Sequence, residues 1–295
     1  MFVWFVGQIT SAPLARADEA DRRWNLAGWT PSLSLALGVH AAPVSGFVNA
    51  TKEGIGAAEE NIRLPEDDRN IAITPISRIS LGLETPELPG RIRLFGTVDY
   101  FVAFPPDLKI ATESSPTGFF VPPGFQNPPV AAIEGQGSQT SLKMNRSAYG
   151  VTGGISIPVS IGDFRFHVKP GVSWMEQEWK IRGVMIHAET SVFDPDGRNF
   201  RGVVLRGRGK LRSSGVGPYL AIETEPDPWG PVLVSAFFDA AYYRTLGDRD
   251  EEITESTTLS GDFLPTETYT ARWGLGLDKY FWRAGIGIRV FLAVD

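Results

Sequence analysis

Cysteine is missing from all 295 residues of this chain. No disulfide framework, thiolate metal site or cysteine nucleophile can therefore be built. Also missing is any apolar run near the roughly 18 residues that a membrane helix needs. The hydrophobic content is only 42% and the mean hydropathy is -0.07. Membrane strands remain open, because a spanning strand alternates and carries about half the hydrophobicity of a helix. Cationic excess is absent too. Lys and Arg total 28 against 34 for Asp and Glu, a net charge of -6, and nucleic-acid partners select for basic stripes.

What the chain does have is alternation with a period of two, the mark of a strand with two chemically different faces. In residues 269–278, Tyr269, Ala271, Trp273, Leu275 and Leu277 oppose Arg272, Gly274, Gly276 and Asp278. After a turn predicted at Lys279 to Trp282, the returning run sets Trp282, Ala284, Ile286, Ile288, Val290 and Leu292 against Arg283, Gly285, Gly287 and Arg289. The same rhythm occurs at residues 29–41, 73–84, 91–104, 147–160, 164–179, 212–224 and 231–244. Between them, residues 46–72, 105–145, 182–211 and 245–267 read as long polar loops, and TPELPG, IGD and EPDPWGP read as compact turns.

A soluble barrel turns its large residues inward, whereas a membrane barrel turns them out to lipid and keeps small and charged residues within. Three features favour lipid. Long loops and short turns alternate strictly, which gathers all the long loops at one end of a meander. Aromatics sit near strand ends on the large-residue face: Trp29, Phe104, Tyr149, Trp174, Tyr242 and Trp282, with Phe166 and Tyr269 beside them. Such rings belong at bilayer interfaces. The opening MFVWFVGQITSAPLARADEA resembles a truncated export signal with a small-x-small site at Ala15-Arg16-Ala17.

The opposite face carries Arg78, Arg93, Asp99, Arg165, Lys169, Asp239, Arg272 and Arg289. Each basic residue near the bilayer midplane would cost about 2 to 4 kcal/mol if lipid touched it, so this face is expected to line the interior. If the last turn pairs Asp278 with Arg283 at the lumen mouth, the same register sets Arg272 against Arg289. Like charges directly opposed are unfavourable, so Asp239 is expected between them. In the second hairpin, Arg78 is expected opposite Asp99.

The expected architecture is an all-β, antiparallel, up-and-down transmembrane barrel of about 8 to 10 strands, the even counts usual for single-chain barrels. Residues 1–27 would form an N-terminal segment and residues 28–295 a single barrel domain. From LSLALGV to WRAGIGIRVFL, over residues 29–294, the pattern resembles small Gram-negative outer-membrane β-barrel proteins, the OmpA-like and OmpX-like meanders. It departs from their common terminal signal by ending in Val294-Asp295 rather than an aromatic residue.

That resemblance implies an integral outer-membrane protein, either a structural or surface-interaction barrel with a filled lumen or a narrow porin-like channel. An outer-membrane enzyme and a soluble ligand-binding barrel are the less favoured readings. His40, His167 and His187 lack the Asp-x-His, His-x-Ser or Asn-His settings of omptin proteases, lipid A deacylases and outer-membrane phospholipases, so the chain is read as a non-enzyme without metal or cofactor. DPDGRN, Asp194 to Asn199, reads as an Asp-Gly turn, since it lacks the distant glutamate of a calcium loop. The expected partners are outer-membrane lipid and lipopolysaccharide, which the basic run RGRGKLR could contact. Extracellular or protein partners could bind through the long loops, including FFVPPGFQNPPV.

Overall fold

The computed structural model describes residues 29–54, 62–63, 69–120, 132–191, 201–260 and 266–292. Its elements are β1 (Thr30–Gly54), β2 (Ile62–Arg63), β3 (Arg69–Glu84), β4 (Arg93–Ala103), β5 (Leu108–Phe120), β6 (Ala132–Met144) and β7 (Ser147–Ile161). They continue as β8 (Phe164–Ser191), β9 (Arg201–Thr224), β10 (Asp227–Trp229), β11 (Val232–Leu246), β12 (Asp250–Leu259), β13 (Glu267–Leu277) and β14 (Tyr280–Phe291). No helix is present among the described residues.

Antiparallel pairing runs β1–β3–β4–β7–β8–β9–β11–β14 and returns from β14 to β1. This is a closed ring of 8 strands. Closure removes the free edges that an open sheet would leave unsatisfied in lipid. Short turns join β3 to β4, β7 to β8 and β9 to β11, and Ser32 pairs with Phe291, which puts both described ends of the chain at the short-turn end.

A second storey stands on the long-loop end. The hairpin β5–β6 adds to the upper half of β8, where β6 pairs with Trp179 to Ser191. On the other side β13 pairs with Val44 to Gly54 of β1, and β12 pairs with β13. The upper halves of β8 and β9 pair with each other from Trp179–Leu211 to Glu189–Arg201.

The storeys differ in which face is apolar, although β8 and β9 keep one register and one parity along their whole pairing. On β8 the odd residues point inward throughout. They run from Lys169 and Ser173 below to Trp179, Ile181 and Met185 above, all buried. The outward residues run the other way, from exposed Val172 to Glu178, Lys180 and Arg182. On β9, outward Ile222 and Leu220 give way to Arg212, Lys210, Arg208 and Arg206, while inward Glu223 gives way to Leu211, Leu205 and Val203. A strand in lipid must show apolar side chains outward, and a strand in water must hide them. The phase of the alternation therefore marks where the outer solvent changes.

Dimensions agree with that boundary. From Phe164 at the short-turn end to Trp174 is 10 residues along β8. At about 3.3 Å per residue and a tilt of about 40°, this spans roughly 25 Å, the height of an outer-membrane apolar band. Trp29, Phe164 and Trp229 ring the lower edge; Phe104, Tyr149, Tyr242 and Trp282 are exposed at the upper edge, with Trp174 less so.

Several sequence expectations are corrected. Residues 269–278 are not half of a membrane hairpin. β13 and β14 pair with successive stretches of the same edge of β1 and never with each other. Tyr269 and Trp273 are therefore inside the upper storey and Arg272 is outside it, with 57% side-chain exposure. Of the nine strands read from the sequence, this one lies beyond the membrane ring, which restores an even count. The stretches read as loops at 46–72, 105–145, 182–211 and 245–267 contain the upper part of β1, the β5–β6 hairpin, the upper parts of β8 and β9, and β12. Asp194 to Asn199 and residues 121–130 of FFVPPGFQNPPV lie outside the described residues, as does the N-terminal segment 1–27.

An arginine scan tests the boundary. Ile286→Arg, on the outward face of β14, should lower stability in lipid vesicles by about 2 to 4 kcal/mol. Val204→Arg, equally outward but in the upper storey, should change it by less than about 0.5 kcal/mol. Equal costs in a denaturant titration of vesicle-inserted protein would remove the proposed solvent boundary.

Candidate functional site: a charge-crossed lumen under an apolar cap

The inward positions of the membrane ring supply 4 buried cations, Arg78, Lys169, Arg283 and Arg289, and 4 buried anions, Glu84, Asp99, Glu223 and Asp239. Their formal charges cancel, as a low-dielectric interior demands. They are arranged on two levels.

At the short-turn level, Lys169 Nζ lies 2.5 Å from Glu84 Oε1 and 2.6 Å from Glu223 Oε2. Arg289 Nη1 bridges the same two acids at 3.3 and 2.7 Å. Arg289 Nε donates to Ser34 Oγ at 3.1 Å, and Ser235 Oγ donates to Glu223 Oε1 at 2.5 Å. These contacts tie β1, β3, β8, β9, β11 and β14 across the interior.

At the next level, Asp239 accepts two hydrogen bonds from Arg78, at 2.6 and 3.0 Å, and a third from Arg283 at 2.6 Å. Arg283 Nε also donates to Tyr243 Oη at 2.7 Å. From there a hydroxyl chain leads to Ser173 at 2.9 Å, Thr152 at 2.9 Å and Asp99 at 3.2 Å. Its polarity follows from its ends, since arginine can only donate and an ionised carboxylate can only accept. Thr152 gives its proton to Asp99, so Ser173 must donate to Thr152 and Tyr243 to Ser173.

Aromatic rings fill the space between the cations. The guanidinium carbons of Arg78 and Arg289 lie 5.4 and 5.5 Å from the Phe237 ring centre. That of Arg283 lies 5.3 Å from Phe101 and 5.7 Å from Tyr219. These separations are within cation–π range.

Above the charges, the upper storey encloses a buried apolar cluster that includes Val48, Trp179, Ile181, Met185, Leu205, Ile253, Tyr269 and Trp273. Trp273 packs flat against the backbone of Gly183, where an added Cβ would come within 2.1 Å of the indole. Only glycine leaves the seat that this indole occupies. His40, Gln177 and Ser213 are buried at the junction, where Gln177 donates to Ser213 at 3.2 Å.

The residues singled out in the sequence fall as follows. Arg78, Asp239 and Arg283 come together, and Arg289 joins Glu223 and Glu84. Arg78 does not face Asp99, because the register sets Ser80 there and Phe101 opposite Arg78. Asp239 does not separate Arg272 from Arg289, since Arg272 lies outside, 3.8 Å from Glu252. Nor does Asp278 pair with Arg283. Asp278 instead accepts from the Lys279 backbone at 2.5 Å, because a bend between two successive strands has replaced the supposed hairpin turn. Arg93 and Arg165 sit nearer the short-turn rim, where Arg93 is bonded to Glu87 and Arg165 lies 3.8 Å from Glu225. Sequence reasoning missed the network roles of Glu84, Lys169, Glu223 and Tyr243. Their inward parity was legible, but which distant strands they bridge depends on ring closure.

Comparison with known proteins adds little. No protein-family model matches the chain, and no curated protein does. Among solved structures, Ail, the attachment invasion locus protein of Yersinia pestis, has a TM-score of 0.26 at 9% identity, covering 88% of this chain and 97% of its own. A loop-deletion form of OmpT, an outer membrane protein of Vibrio cholerae, has a TM-score of 0.09 at 10% identity, covering 86% and 99%.

Removing one partner from a buried ionic network leaves the other charge uncompensated, at a cost of about 3 to 5 kcal/mol. Asp239→Ala should therefore destabilise the barrel by that order in vesicles, because it strands two guanidinium groups. Adding Arg78→Met should restore part of the loss. A double-mutant cycle with no coupling between the two positions would deny the network its stabilising role.

Proposed function

We propose that the protein is an integral outer-membrane barrel that does not conduct, and that it works through the surface of its extracellular storey. What supports this reading is buried side chains meeting across the barrel axis at successive levels. Ion pairs cross it at two levels inside the membrane ring, and the Trp179–Trp273 cluster occupies the centre above them. A water-filled channel would need continuous space along the axis. Instead, Arg283, Asp239, Lys169 and Glu223 are each at most 2% exposed.

The outer membrane is the favoured location, from the sorting of long and short connections and the two aromatic belts. The strongest pointer to catalysis is weak. Ser156 Oγ and His167 Nδ1 are 3.2 Å apart, but Ser156 is 1% exposed, which leaves no approach for an acyl substrate. A structural or surface-interaction role fits better than hydrolysis, with lipid around the ring and protein or lipid partners above it.

Single-channel recording is the direct test. Purified protein inserted in a planar bilayer should give no steady conductance steps in either orientation. Reproducible ohmic steps scaling with the number of insertions would establish the narrow-channel alternative in its place.

A further inference from the structure

Just beyond the upper aromatic belt, one flank of the second storey carries an outward ladder of cations. Lys180 and Arg182 project from β8, and Arg206, Arg208, Lys210 and Arg212 from β9. The register sets like against like: Lys180 faces Lys210 on one side and Lys143 of β6 on the other, and Arg182 faces Arg208. Directly opposed like charges weaken a sheet, so the arrangement costs stability that only a few acids offset among the described residues. Arg212 and Lys210 share one acid, Glu178, at 3.1 and 3.9 Å, and Lys143 meets Asp107 at 3.1 Å. Among the described residues, Lys180, Arg182, Arg206 and Arg208 make no ion pair. The neighbouring wall is different in kind, since the outward residues of β12 include Asp250, Glu252 and Thr254, and Arg272 beside them approaches Glu252.

The ladder's height identifies what could answer it. Val216 pairs with Trp174 of the belt. From that level, strand rise and tilt put Arg212 about 10 Å and Arg206 about 25 Å further out. A single plane of phospholipid phosphates would engage only the lowest rung. The same two strands continue downward into a lipid-facing strip of Val216, Leu220, Ile222 and Val172. One amphiphile with acyl chains below and several phosphates spread above would cover both.

We propose that this flank of β8 and β9 is a docking site for a phosphorylated glycolipid of the outer leaflet, lipopolysaccharide, held by its phosphates on the cation ladder. The site is one-sided, as the ladder is. It rests on the membrane placement proposed above and not on whether the lumen conducts. Arginine suits it because its planar fork binds phosphate with two donors at once.

The test uses the full chain in phosphatidylcholine nanodiscs titrated with lipopolysaccharide, with bound glycolipid per barrel counted by native mass spectrometry. Wild-type protein should bind the phosphorylated form at least about tenfold more tightly than a dephosphorylated preparation, and raised salt should erode the difference. The variant R206Q/R208Q/K210Q/R212Q should lose about tenfold or more, while R272Q on the neighbouring wall should not. The dephosphorylation and salt arms use wild-type protein alone, so they decide the matter even if the quadruple variant misfolds. Equal binding of the two glycolipids would overturn the proposal, as would a folded quadruple variant that binds like wild type. Sucrose octasulfate binding to detergent-solubilised protein as tightly as lipopolysaccharide would reassign the flank to a soluble polyanion and also overturn it. Failure here with a silent planar bilayer would leave the non-conducting reading intact.

Discussion

A β-strand has two faces and cannot exchange them without a register slip or an extra residue. The strands β1, β8 and β9, which run through both storeys, obey that constraint across two environments. Along β8 the inward set runs without interruption from Lys169 through Ser173 to Met185 and His187. Since the backbone does not turn over, the side chains must. Below the upper aromatic belt the interior takes whatever lipid would reject, and above it the interior takes whatever water would reject. The two-storey organisation follows from holding parity fixed while changing the solvent outside.

The consequence for the membrane ring is electrostatic. Polar side chains turned inward in a narrow barrel find little water, so they must satisfy one another. Equal numbers of opposite charges, a hydroxyl chain of fixed polarity and aromatic rings beside the guanidinium groups answer most of that demand, while Arg78 Nε and Arg283 Nη2 find no hydrogen-bond acceptor. Such a network is poor evidence of high stability, because desolvation absorbs much of the attraction. What it does is tie distant strands together across the axis. Asp239 is bonded to β3 through Arg78 and to β14 through Arg283.

Much of this was legible in the sequence, but unevenly. Alternation located the membrane strands, and the cost of arginine in lipid placed Arg78, Arg289 and Asp239 inside. What failed was local in origin. Residues 269–278 alternate as strongly as a membrane strand, and alternation alone carries no sign to say whether lipid or water lies outside. The missing sign was present in a comparison across residue 278. Large residues are odd-numbered before it, as in Trp273 and Leu275, and even-numbered after it, as in Trp282 and Ile286. A hairpin was one way to explain that inversion, and a change of solvent along one continuing direction was the other. The partners of Glu84, Lys169 and Glu223 were beyond reach for a different reason. They meet across the barrel axis, so their distances depend on closure and stagger rather than on any neighbour in sequence.

The junction between storeys shows why the two interiors can share one axis. A charged network abutting a dry apolar core would leave ions facing low dielectric on one side. Between them lie neutral polar and aromatic groups: Tyr243 stacked on Phe281 at 4.7 Å, His40 with its ring centre 5.3 Å from Phe281 and 5.9 Å from Trp179, and Gln177 bonded to Ser213. Tyr243 accepts from Arg283 with its hydroxyl and presents its ring to the layer above, so one residue belongs to both regimes. Polarity therefore falls in steps, from full charges to hydroxyls and amides, then to indole and alkyl groups. A layer of intermediate polarity thus separates the full charges from the alkyl groups.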